Sequence, residues 1–212
     1  NGTLDSACET YCAGAVRPGT TVLRLGSAGG IHMVWDRARP LQRMINYPHP
    51  CPPFWYSQAG TNAAGTSLEW IRRTLGTDAP LTHHTFTRLV RETPPGSDGV
   101  LFHPYLAGER CSHWDPHVRG GFTGLTTRHG ASHLARAVVE GVSYSLKDAQ
   151  SALIDAAGSQ TESGALRVVG GGTANAEWLS ILASVFGRPL AVLTHADSAY
   201  GAGLLGLRAQ NV

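Results

Sequence analysis

The chain has 212 residues, enough for one domain with a full core. Only 15% of residues are charged and glycine is frequent, at 26, so the composition excludes a disordered or coiled-coil chain and reads as a compact, loop-rich α/β protein. A net charge of +2 from scattered lysines and arginines offers no basic run to nucleic acid, and no apolar stretch of about 18 residues marks a membrane span. With no signal peptide in view either, a soluble cytoplasmic protein is expected. Cys8, Cys12, Cys51 and Cys111 form no CxxC pair and read as buried free thiols, which fits a reducing compartment. The chain opens at Asn1 without an initiator Met and with almost no run-in, which reads as a piece of something longer.

Taken in order, Asp5 stands before Ser6–Ala13, a short helix closed by Gly14, and its simplest role is to cap that helix. Thr21–Leu25 and Ile31–Trp35 read as strands around Gly26-Ser-Ala-Gly-Gly30, either an ordinary hairpin turn or a nest of amides with a hydroxyl at Ser27 that would suit phosphate. Residues 36–56 are rich in proline and aromatics and are expected to be extended or turned. Small residues 63–65 lead into a helix over Leu68–Leu75, a surface helix spans Thr82–Glu92, and strands follow near 100–102 and 119–125. Between these, His113, Asp115 and His117 alternate, but Pro116 interrupts them and a fourth ligand is missing, so a polar loop is the simpler reading than a metal site. The longest helix is expected from Ser132 to Ala157, with Val138, Val142, Leu146 and Leu153 on its buried face and Gly141 at a close crossing.

Leu166–Trp178 organises the rest: a buried strand with Val168 and Val169, a turn at Gly170–Gly172, and a helix capped by Asn175. A strand that feeds glycines into a helix start either packs tightly or holds a nucleotide. A strand at 190–193 and a small-residue helix at 199–207 complete a layered α/β pattern.

Gly2-Thr-Leu-Asp-Ser-Ala-Cys8, Leu25-Gly-Ser-Ala-Gly29, Leu106-Ala-Gly-Glu-Arg110, Trp114-Asp-Pro116, Arg119-Gly120, His133-Leu-Ala-Arg-Ala137 and Gly170-Gly-Gly172 with Trp178 and Gly187-Arg-Pro189 occur in one order along the chain. Together they resemble the C-terminal half of the FGGY family of carbohydrate kinases, most closely its xylulokinase-like branch. The resemblance implies an actin-like ATPase (ribonuclease H-like) lobe with a five-stranded mixed sheet and flanking helices, spanning residues 1–212 as the ATP-binding lobe. It also implies transfer of the ATP γ-phosphate to a sugar or polyol hydroxyl with Mg²⁺ on the phosphates.

On this resemblance Asp5 would be the catalytic base, Gly26, Ser27 and Gly29 would hold phosphate, Gly65 would line the nucleotide, and Gly171, Gly172 and Asn175 would bracket adenosine. Phosphoryl transfer relies on positioning and electrostatics, which small residues and backbone can supply. Two departures stand out. Ala28 replaces a hydroxyl residue usual in the family, and the N-terminal sugar-binding lobe lies outside this sequence, so the isolated lobe is expected to bind nucleotide weakly and turn over little. A homodimer through the exposed lobe interface is one expectation, and a non-catalytic nucleotide-binding module is the alternative function.

Overall fold

A computed structural model of the chain describes residues 3–158, 163–195 and 197–210. A mixed sheet separates two helical layers. Its strands are β1 (Thr21–Leu25), β2 (Gly29–Trp35), β3 (Ile45–Pro48), β4 (Trp55–Thr61), β7 (Leu166–Val169) and β8 (Leu190–Val192), in the order β3-β4-β2-β1-β7-β8. The first four pair antiparallel, whereas β7 runs parallel to both β1 and β8. A separate ribbon joins β5 (Leu101–His103) to β6 (Gly121–Thr123).

Side-chain alternation sorts the two layers. Leu23, Leu25, Ile31, Met33 and Val168 point to one face, where they pack with α4 (Ala131–Ala157), α5 (Ala176–Phe186), α2 (Gly65–Thr74) and α3 (His83–Glu92). Val22, Val34, Tyr56 and Val169 point to the other face, under α1 (Asp5–Cys12). Helix α6 (Ser198–Ala209) packs on α1 so closely that a Cβ at Gly201 would lie 2.2 Å from the Cys8 carbonyl oxygen. Helix α4 runs through the core with Val138, Val142, Leu146 and Leu153 buried, and a Cβ at Gly141 would lie 2.2 Å from the Phe102 carbonyl oxygen. The close crossing expected at Gly141 is therefore against β5.

The sheet has six strands instead of the five that the resemblance implied; β3 falls within residues 36–56, expected to be extended or turned, and β4 begins at the end of that segment. Strand β4 pairs with β2 over seven residues, from Trp35↔Trp55 to Gly29↔Thr61. Its Ser57 and Gln58 break the apolar alternation that would mark a strand. A buried polar chain compensates: Trp35 Nε1 donates to Ser57 Oγ at 2.8 Å, and Ser57 Oγ donates to Asn46 Oδ1 at 2.6 Å. Pro48 is tolerated because β3 is an edge strand and Pro48 ends it. Among the described residues no helix is long and apolar enough to cross a membrane, and the four cysteines are free, three of them buried.

Candidate nucleotide site

Strand β7 leads into a sharp turn. Gly170 has φ of +98°, and a Cβ there would lie 2.5 Å from the Leu25 carbonyl oxygen, so the position requires glycine on both grounds. The chain then makes a 3-10 turn over Gly171–Ala174, and Asn175 caps α5 by accepting the Trp178 amide at 3.1 Å. A Cβ at Gly172 would meet Leu25 Cβ and Trp178 Cζ3, each at 2.7 Å, whereas one at Gly171 would meet nothing within 4 Å. Gly172 is thus a packing glycine, and Gly171 borders open space.

The β1–β2 hairpin lies beside this turn, since Gly26 and Gly170 leave the carboxyl ends of adjacent parallel strands. Gly26 spends its own amide on the Ala28 carbonyl at 3.1 Å. The amides of Ser27 and Ala28 and the exposed Ser27 hydroxyl donate no hydrogen bond among the described residues, so they, and not the Gly26 amide, are the free donors here. Gly29 is buried, and the place of its missing side chain is filled by Leu146 Cδ2 at 2.8 Å and Ala64 Cβ at 2.9 Å. The hairpin fixes the start of α2: Gly26 O accepts the Gly65 amide at 3.0 Å, and Ser27 O accepts the Ala64 and Thr66 amides at 2.9 and 3.1 Å. A Cβ at Gly65 would lie 2.7 Å from Gly26 O.

Between α2, α3 and the β7–α5 turn lies a cavity of about 550 Å³. Gly65, Gly171, Gly172 and Asn175 are in its walls, so four of the residues expected at a nucleotide site converge on one space. Gly26, Ser27 and Gly29 lie outside that lining; the bond from the Gly65 amide to Gly26 O connects the hairpin to it. Leu68, Phe86 and Trp178 give the cavity an apolar floor, and Glu69, Arg72, His83, Arg91 and Glu177 give it a polar rim. Arg91 of α3 pairs with Glu177 of α5, and Arg72 pairs with Glu69 at 2.7 Å. Sequence reading missed the α3 wall. The amphipathic pattern shows that Phe86 faces inward but not what it faces.

Asp5 is the first residue of α1, and Leu4 is the N-cap, so Asp5 does not cap the helix as expected. Its Oδ1 accepts the Ser6 amide at 2.7 Å, the carboxylate stays 70% exposed, and its Oδ2 lies 3.8 Å from Arg24 Nη2. Arg24 projects from β1 on the α1 face and is gripped by Glu9, whose side chain is 12% exposed; neither residue was singled out from the sequence. The bond from Glu9 raises the pKa of Arg24 further, so its charge is permanent.

On the far side of α2's start, buried Glu109 accepts the Asn62 and Arg110 amides at 2.9 and 2.7 Å through Oε1, and Arg110 Nε donates to Asn62 Oδ1 at 2.7 Å. Burial raises the Glu109 carboxyl above its usual range. His113 bonds Tyr105 Oη at 2.8 Å, and Asp115 accepts the His117 amide at 2.7 Å, so that loop satisfies itself internally. Among the described residues no three His, Cys, Asp or Glu side chains converge on a metal position.

Residues 27–210 match the C-terminal domain of the FGGY family of carbohydrate kinases, a span that begins after Asp5. The chain is 31% identical over 204 residues to a xylulose kinase of Staphylococcus epidermidis, covering 95% of this chain and 40% of that protein. It is 30% identical over 221 residues to a gluconokinase of Bacillus subtilis, covering 98% of this chain and 42% of the relative. Among solved structures it superposes on a xylulose kinase from Rhodospirillum rubrum with a TM-score of 0.87 at 30% identity, covering 99% of this chain and 42% of that one. A gluconate kinase from Lactobacillus acidophilus gives a TM-score of 0.88 at 28% identity, with shares of 99% and 42%. The chain thus spans about two fifths of the length of these relatives, and the superpositions give its sheet and helices the actin-like fold of those kinases. By the extent of the match and the order of its elements, the chain belongs to the FGGY family of carbohydrate kinases.

Proposed function

We propose that this chain is the nucleotide-binding lobe of an ATP-dependent sugar kinase that phosphorylates a hydroxyl of a ketose such as xylulose, or of a related polyol or sugar acid. The observation that supports it best is the cavity bounded by Gly65 on α2 and by Gly171, Gly172 and Asn175 on the β7–α5 turn. Its apolar floor suits a planar base, and its polar rim suits the ribose. The phosphates would pass Gly65 toward the Ser27 and Ala28 amides and the Ser27 hydroxyl, which are the donors left free there. Asp5, solvent-facing at the start of α1, would accept the proton of the attacking hydroxyl. Magnesium would travel with the nucleotide and shield its phosphates, since this chain assembles no cage of its own among the described residues. A cytoplasmic setting and the presence of an N-terminal sugar-binding lobe in the parent protein belong to the same proposal.

The test is calorimetric titration of the chain with ADP and Mg²⁺ beside Asn175→Ser and Ser27→Ala. Serine keeps an N-cap acceptor for Trp178 but lacks the Asn175 amide group, so the helix is preserved while a nucleotide contact is removed. Saturable binding weakened by both changes supports the proposal. A folded chain whose ADP affinity neither change alters would refute this placement of the nucleotide. A non-catalytic nucleotide-binding module would bind in the same way, but Asp5→Asn in the parent would then have no phosphoryl transfer to abolish.

A further inference from the structure

The α1 face of the sheet is apolar around Val22, Val34 and Val169, yet β1 places Arg24 there, two residues before the hairpin. Its guanidinium is anchored at one end: Nε and Nη2 both face the Glu9 carboxylate, Nη2 reaching Oε1 at 3.4 Å. Nη1 donates to no described residue and lies beside the hairpin, 3.6 Å from where a Cβ on Gly26 would be. Nη2 is 3.8 Å from Asp5 Oδ2, beyond hydrogen-bonding distance. The side chain is 26% exposed, so solvent and ligand can reach it.

We propose that Arg24 is an anion-binding residue of this site, whose Nη1 completes, with the Ser27 and Ala28 amides and the Ser27 hydroxyl, a binding position for the terminal phosphate of a nucleoside triphosphate. This rests on the reading of the hairpin as the phosphate end of the site. Four donors from one hairpin and one strand would then serve one phosphate, three of them uncharged and the fourth cationic. The placement also answers an electrostatic problem. A carboxylate that receives a hydroxyl proton and a phosphoryl group moving toward that hydroxyl are both anions, and they repel at close range unless a cation separates them. Arg24 presents one nitrogen toward Asp5 and another toward the hairpin, while Glu9 fixes its orientation from behind. Arginine suits the position because its planar fork can hold Glu9 at one edge and keep a second edge free, which a lysine ammonium cannot do.

The experiment uses this chain, magnesium tripolyphosphate as a probe without a base, and adenosine as a probe without phosphate. Nitrogen-15 NMR follows the Ser27 and Ala28 amides, the Arg24 guanidinium and the Asn175 side chain. Tripolyphosphate is expected to shift the hairpin amides and the Arg24 guanidinium with one saturation curve. Arg24→Met should weaken that binding about tenfold, Arg24→Lys should recover part of it, and adenosine affinity should stay within twofold. Because Arg24→Met leaves the Glu9 charge unpaired, Arg24→Met with Glu9→Gln removes both charges and provides the variant to use if the single change impairs folding. A tripolyphosphate curve that leaves the Arg24 guanidinium signal unmoved, or no saturable shift at Ser27 and Ala28 in the folded chain, overturns the proposal. Binding within twofold of wild type in a folded Met variant does so as well. Failure of adenosine alone to bind would instead count against the base cavity and leave the Arg24 assignment standing.

Discussion

Gly171 and Gly172 are neighbours with opposite surroundings, and that contrast separates binding from folding. An alanine at 172 would put its Cβ 2.7 Å from both Leu25 Cβ and Trp178 Cζ3, well inside van der Waals contact, and Trp178 is buried at 1% exposure. Neither neighbour is the loose end of a flexible side chain: Leu25 lies in the sheet, and Trp178 is held by the bond from its Nε1 to Ser143 Oγ at 3.2 Å. Overpacking of this kind costs about 1–3 kcal/mol. For a chain of this size, about 1 kcal/mol moves the melting midpoint by roughly 2–4 °C, so Gly172→Ala should melt some 2–12 °C lower.

At 171 the added methyl meets nothing within 4 Å and φ is not in the left-handed region, so Gly171→Ala should melt at or slightly above the wild-type temperature through lost unfolded-state freedom. The methyl does, however, enter the border of the 550 Å³ cavity, and ADP affinity should fall about tenfold, equivalent to about 1.4 kcal/mol. Differential scanning calorimetry and ADP titration of both variants decide the matter. A Gly171→Ala protein that keeps full ADP affinity would refute the assignment of this turn as the nucleotide wall. A Gly172→Ala protein as stable as wild type would refute the packing argument.

Gly141→Ala sets a methyl 2.2 Å from the Phe102 carbonyl oxygen, a backbone atom that cannot swing aside, so chemical denaturation should show a loss of at least about 2 kcal/mol despite the higher helix propensity of alanine. His32 is buried with its Nε2 unpartnered, and burial lowers its pKa from 6.5 to about 3. The unfolded chain therefore takes up this proton first, and stability falls as pH drops below about 6.5, by up to about 1.4 kcal/mol per pH unit; His32→Leu should flatten that part of the pH–stability curve relative to wild type, and an unchanged slope would count against it. Arg91→Ala opens the α3–α5 ion pair at the cavity rim; because Arg91 is 64% exposed, the melting temperature should hardly move, while the dissociation rate of bound ADP, followed by stopped flow, should rise severalfold.

The backbone requirements of the site were legible because they are local. A glycine run between a β-branched strand and a capped helix states its own geometry, and Gly170, Gly172 and Asn175 stand as that pattern requires. Strands β3 and β4 were not legible, because what holds them is the register with β2 and the Trp35–Ser57–Asn46 bonds, which join residues far apart in sequence. The same holds for the α3 wall of the cavity: Phe86 and Arg91 acquire their partners only when α3 packs on α4 and approaches α5.

The sequence nevertheless held a signal at the least legible place, in the residues that violate its own pattern. Arg24 interrupts the apolar run Val22-Leu23-Leu25 of β1, and His32 interrupts β2. Alternation places both on the face toward α1, and both bind that helix: Arg24 holds Glu9, and His32 Nδ1 bonds Thr10 Oγ1 at 2.7 Å. Thr10 already donates its hydroxyl proton to Ser6 O at 2.7 Å, so it accepts from His32, which fixes the imidazole as the Nδ1–H tautomer and leaves Nε2 as a buried acceptor. A polar group buried at a cost persists where it specifies an arrangement that apolar packing alone would leave free to slide. Here two adjacent strands each grip successive residues of one short helix, and they fix its axial position against the sheet. Asp5 is the first residue of that helix. The pattern breaks in β1 and β2 are therefore the part of the chain that determines where its carboxylate stands relative to the hairpin.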